Sequence, residues 1–147
     1  AALAAAQFIP TAENVREYKG IKWEETRHDL DRVFERDGIS YGTEIKNTLG
    51  YIEKEELKIK IQMCEKFGVK PLFIMRMSPK SYIDMVWRNG GFTLIFKYQL
   101  YPFGYEWLAE EVRKKLGLPV GCPRAIEAGT INRFLKWHLK GIGKDNV

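Results

Sequence analysis

The chain has 147 residues, of which 45% are hydrophobic and 29% charged, and a formal net charge of +5. This is one domain's worth of a soluble, globular chain, with too much apolar content for disorder and enough for a real core. The longest apolar runs, such as Leu72-Phe73-Ile74-Met75, are too short to span a bilayer, and the modest basic surplus favours a polyanionic partner without requiring one.

Ala1 to Ala6 is alanine-rich and carries no charged leader, so it does not read as a signal peptide. The missing initiator Met suggests that further residues stand upstream. A short helix is expected after Pro10-Thr11. Lys22 to Arg36 reads as extended and runs into Asp37-Gly38, a strong hairpin signal. Ile39 to Thr48 is its expected partner strand. Glu53 to Phe67 is an expected helix with early acidic residues, a stripe of Leu57, Ile61 and Cys64, and Gly68 just beyond its end. Ile59, Met63 and Phe67 support that stripe.

Lys70 to Met77 is nearly all apolar, as in a strand covered on both faces. Ser78-Pro79 opens a helix through Trp87, and Asn89-Gly90-Gly91 ends it. Phe92 to Gln99 reads as a strand and Tyr105 to Leu116 as a helix stopped by Gly117. Ile131 to Leu139 is a last helix with Thr130 as its N-cap. This order predicts an α/β domain over residues 1–120, with a mixed sheet flanked by helices, and a helical extension over 121–147 packed on it. Cys64 and Cys122 lack metal or redox spacing, so a reduced, cytoplasmic setting is expected.

The hairpin concentrates the chemistry. With Asp37-Gly38 as a two-residue turn, Asp31 stands opposite Glu44 and Asp29 opposite Lys46, all on one face. Facing β-carbons are about 5 Å apart, so two carboxylates there repel unless a positive charge lies between them. Mg²⁺ (or Mn²⁺) is one such occupant, using one or two carboxylates plus waters and phosphate. Lys46 would then orient a water or offset charge on a phosphate. Ser40 and Gly42 on this face are expected to leave room for a phosphate backbone. The plainer reading is a solvated, charged strand face. Glu-x-Lys also occurs at Glu17–Lys19 and Glu56–Lys58, so the tripeptide alone has little weight.

His28-Asp29-Leu30-Asp31 through Glu44-Ile45-Lys46-Asn47, followed by a helix and an apolar strand, resembles the core of the PD-(D/E)XK (restriction-endonuclease-like) nuclease superfamily, in its resolvase-like branch. The resemblance covers about residues 27–77, and Leu30 stands where the motif has proline. It implies a magnesium-dependent endonuclease hydrolysing DNA. Asp31, Glu44 and the Ile45 carbonyl would hold the metal, Lys46 would be catalytic, and Asp29 and Gln62 would be auxiliary. Such sites are often completed by an acid from a preceding helix, for which Glu13, Glu17, Glu24 and Glu25 are candidates, and a homodimer is expected.

Further candidates for contacting nucleic acid are Lys58, on the Gln62 face of its helix; Arg76, at the end of the apolar strand; and Arg133 and Lys136, on the last helix. Phe134 and Trp137 more readily dock that helix on the core. Trp87 and Trp107 also read as core. The rival functions are an inactive nucleic-acid-binding module of the same fold and an interaction domain whose acidic hairpin is merely solvated. No pattern supports zinc or a serine or cysteine nucleophile.

Overall fold

The computed structural model describes residues 2–48, 50–96, 99–102, 104–121 and 128–145. Its elements in chain order are α1 (Ala2–Ala5), β1 (Ile9–Val15), β2 (Glu17–Tyr18), β3 (Ile21–Lys22), β4 (Leu30–Arg36) and β5 (Ile39–Lys46), then α2 (Lys54–Phe67), β6 (Lys70–Met75), α3 (Lys80–Arg88), β7 (Phe92–Ile95), β8 (Gln99–Leu100), α4 (Glu106–Leu116), β9 (Val120–Gly121) and α5 (Ala128–Asp145). Cys122 lies outside the described residues. No helix among the described residues is long and apolar enough to cross a membrane.

Asp37 and Gly38 have φ of 55° and 74°, the positive pair that a tight turn matching strand twist requires. The expected register follows, with Arg36 against Ile39 and Arg32 against Thr43. From β5 the chain crosses through α2 to β6, which pairs parallel to β5, and through α3 to β7, parallel to β6. The result is a mixed five-stranded sheet in the order β1-β4-β5-β6-β7.

Both faces of the sheet are covered. Phe34, Tyr41, Leu72, Ile74 and Leu94 pack with Phe8 and with Ile131 and Phe134 of α5. On the other face, Val33 and Leu30 pack with Met63, Cys64 and Phe67 of α2, while Phe73 and Met75 meet Leu57, Ile61 and Val86. The apolar run of β6 is thus divided between two layers, as a central parallel strand requires.

Several expected elements differ. Instead of a helix after Pro10-Thr11 there is the edge strand β1, antiparallel to β4, with a register shift between Pro10 and Ala12. An edge tolerates the missing proline N–H, and β4 offers an open row of backbone partners. The extended run from Lys22 is broken before β4 by a turn around Thr26, whose hydroxyl accepts the Trp23 indole N–H at 2.8 Å. The run after Gly91 divides into β7 and β8, and β8 pairs with β9 in a separate small sheet. Asn47 ties that sheet to the end of β5: its side-chain amide donates to the Leu100 carbonyl at 2.6 Å and accepts the Leu100 N–H at 2.7 Å. α5 begins before Thr130, which is therefore a buried residue within the helix and not its cap. Trp87 and Trp107, expected in the core, are 59% and 63% exposed, because each falls on the outer side of its helix.

α5 is fastened to the hairpin by a polar chain that runs from the buried Tyr41 and His138 to the exposed Asp37. The Tyr41 hydroxyl lies 2.6 Å from His138 Nδ1, and His138 Nε2 lies 2.8 Å from Asp37 Oδ2. The His138 hydrogen bond holds the Asp37 carboxyl below the usual aspartate range, opposed by slight desolvation and reinforced by Arg36. A lowered folded-state pKa contributes stability above the unfolded value, about 3.9, that is lost as pH falls through the folded one. Asp37→Asn keeps a favourable turn residue, so it should melt below wild type near about pH 6 and converge with it in acid below about pH 3.

Gly42 marks where α2 presses closest to the sheet. A β-carbon there would stand 2.7 Å from Cys64 Sγ and 2.8 Å from Leu30 Cδ1. The strand face beside the acids is therefore filled by α2, and Gly42 leaves no room for a phosphate backbone. Gly42→Ala should destabilise the fold by about 1–3 kcal/mol, measured by urea unfolding.

Candidate active site

Glu44 and Lys46 close β5 on the side that faces α2, one step beyond the tight contact at Gly42. Glu44 is only 4% exposed. An ionised carboxylate so placed needs a counter-charge, and α2 provides it. Lys60 Nζ lies 3.0 Å from Glu44 Oε2, with both side chains buried. Lys60 also donates to the Asp29 carbonyl, and its ammonium lies 4.0 Å from Asp29 Oδ1. Oε2 has no partner besides this ammonium among the described residues. A carboxylate oxygen has two lone pairs, so one ammonium leaves it able to accept a further ligand. Burial raises the Glu44 carboxyl above the usual glutamate range; Lys60 opposes the rise, Asp31 adds to it and Lys46 opposes it.

Asp31 lies one rung past the last pair of the β4–β5 ladder, Arg32 with Thr43. Its carboxylate accepts the Ile45 backbone N–H at 2.7 Å. That side chain takes the place of a strand carbonyl where the ladder ends, so Asp31 is held against the segment that carries Glu44. Ile45 itself is partly exposed. Lys46 is not free: its ammonium is 3.3 Å from Glu56 Oε1 on α2. Asp29 precedes β4 and meets Lys60 instead of pairing with Lys46. Arg76 follows β6 at the same end of the sheet. Its backbone N–H donates to the Lys46 carbonyl at 3.1 Å, and its Nε is buried with no hydrogen-bond partner among the described residues.

Other candidates stand apart. Gln62 is exposed on α2, and Lys58 pairs with Glu55 at 3.5 Å. The face of α2 that turns inward runs through Leu57, Lys60, Met63 and Cys64, which leaves Gln62 outside. Arg133 and Lys136 are exposed on α5, whose buried Phe134 packs on the layer across the sheet from α2. Among the described residues, the helix that precedes the hairpin, α1, carries no acid. Glu13 is on β1, where it pairs with Arg32 at 3.5 Å, and Glu25 pairs with Lys66 at 2.6 Å. Among the described residues no three His, Cys, Asp or Glu side chains group to hold a metal ion. Cys64, below Glu44, is a buried thiol pushed up to about 12 by desolvation, too high for a nucleophile.

Lys60 was not singled out from the sequence, although a signal exists. It stands three residues after Leu57 and three before Met63, a lysine inside an apolar stripe, and such a residue is rarely buried unless paired. No family model, no curated protein and no solved structure matches this chain.

Removing one partner of a buried ion pair costs more than removing both. Lys60→Met should destabilise the protein by about 3–5 kcal/mol near neutral pH, and Lys60→Met with Glu44→Gln should recover most of that loss in urea unfolding. The folded-state pKa of Glu44 is raised, so protonation favours the fold and ionisation opposes it. The Lys60→Met defect should therefore shrink as pH falls and Glu44 takes up its proton.

Proposed function

We propose that the chain is a metal-dependent endonuclease hydrolysing DNA phosphodiester bonds, with a restriction-endonuclease-like core. The observation that carries this reading is the buried Glu44 carboxylate, whose Oε2 has no partner besides the Lys60 ammonium among the described residues, near Asp31 at the carboxyl end of β5. Carboxyl ends of parallel strands are where ligand sites gather in α/β sheets.

The donors suit a hard cation. Both are carboxylate oxygens, and Mg²⁺ often takes one or two of these and completes its shell with water and phosphate. Asp31 and Glu44 would hold Mg²⁺ (or Mn²⁺), with the Ile45 carbonyl as a further ligand. A bound ion would supply Lewis acidity and a water acidic enough to ionise near neutral pH. Lys60 opposes the burial-driven rise in the Glu44 carboxyl pKa and holds the Asp29 carbonyl in place. Lys46, braced by Glu56, would face the scissile phosphate and orient the attacking water, while Arg76 beside it offers a second cation to the phosphate.

The competing reading, a nucleic-acid-binding module that does not cut, draws on the same residues, since Lys60 and Glu56 already neutralise Glu44 and Lys46. Plasmid, branched and single-stranded DNA should be cleaved with Mg²⁺ or Mn²⁺ and spared with EDTA. Glu44→Gln and Lys46→Ala should each lower cleavage by about a hundredfold or more. Survival of every substrate with wild-type protein and metal would leave the binding module as the reading.

A further inference from the structure

A cavity of about 410 Å³ lies on the other layer of the sheet, between the start of β6, the end of α3 and α5. Two tryptophans line it, Trp87 and Trp137, with ring centroids 6.3 Å apart and planes tilted by 51°. Trp137 is supported from behind by Phe92 and Phe134, at 5.2 Å and 6.0 Å. Trp87 is 59% exposed, although it is the largest apolar side chain and burial is its usual state. Lys70 Nζ stands 5.6 Å from the Trp137 ring centroid, and Lys140 lines the same opening from α5. Among the described residues neither lysine has a carboxylate within ion-pair distance. The buried Tyr41–His138 pair, anchored by Asp37, forms part of its lining.

We propose that this cavity binds a nucleotide unit, its base stacked on Trp87 and its phosphate held by Lys70 and Lys140. An exposed indole offers a face to any base, and ammonium groups without a carboxylate partner beside it suit an anion. The cavity falls within the range of small-molecule sites, roughly 300–1,000 Å³. It is separate from the acidic pair. Tyr41 is three residues from Glu44 along β5, about 10 Å, and their side chains enter opposite layers. The inference therefore does not rest on the nuclease reading. The same chemistry fits a free nucleotide or an unstacked base of a single strand.

Calorimetric titration in EDTA tests it, using deoxyadenosine monophosphate, deoxyadenosine, inorganic phosphate and a short single-stranded oligodeoxyadenylate. The monophosphate should bind saturably, and more tightly than the nucleoside or phosphate alone. Trp87→Ala and Lys140→Glu, both at exposed positions, should each weaken it about fivefold or more, while Lys46→Ala should leave it unchanged. Tighter binding of the oligonucleotide would identify a single strand as the source, and equal binding a free nucleotide. Three results would overturn the proposal: no saturable binding, inorganic phosphate binding as tightly as the nucleotide, or affinity lost in Lys46→Ala but kept in Lys140→Glu.

Discussion

Glu44 and Lys60 are buried together where β5 meets α2, and much of the structure follows from satisfying that pair. A lone carboxylate at 4% exposure would be too costly to keep ionised. Its ammonium partner must arrive from α2 at one helical position, which fixes both the rotation of the helix and its height over the sheet. Gly42 permits the close approach, with Leu30, Cys64 and Val69 against the space where a side chain would be. Buried pairs of this kind add little net stability over an apolar replacement, and they punish a misplaced partner severely. Here the pair sets the register of α2 while keeping a carboxylate oxygen available at the end of the sheet.

The two ends of the hairpin have opposite chemistries. Toward the carboxyl end of β5, Asp31, Glu44, Lys46 and Arg76 gather around the point where the β4–β5 ladder stops. Toward the turn, Asp37, Tyr41 and His138 fasten α5 across the other layer. The sheet thus separates an acidic centre with braced lysines from an aromatic cavity whose lysines have no carboxylate partner among the described residues. In the proposed endonuclease, the first would act on a phosphodiester and the second would take a nucleotide.

The hairpin was legible because its turn is dictated locally: Asp37-Gly38 accepts two positive φ values, and the register across it is then a matter of counting. The helix at Lys54–Phe67 and the apolar strand at Lys70–Met75 were legible from their periodicity and end signals, and the mixed α/β sheet followed from their order. β1 was not, since Ile9–Val15 has no clear alternation and becomes a strand only because β4 offers an edge. Trp87 and Trp107 misled because periodicity puts an apolar residue on a stripe without saying which stripe is covered. Lys60 escaped for the reverse reason. Its position in the stripe of Leu57 and Met63 was plain, but its burial depends on a carboxylate 16 residues earlier in the chain, and only the packing of α2 over β5 brings the two together.

Crystals soaked in Mn²⁺ and measured at its absorption edge address the central claim directly, that Glu44 keeps an oxygen for a cation beside Asp31 despite its lysine. The account predicts an anomalous peak within bonding distance of both carboxylates, with the Lys60 ammonium moved off Oε2 while it keeps the Asp29 carbonyl. A site that stays without a peak at saturating Mn²⁺, with Lys60 still against Oε2, would contradict it and leave the pair as a purely structural device.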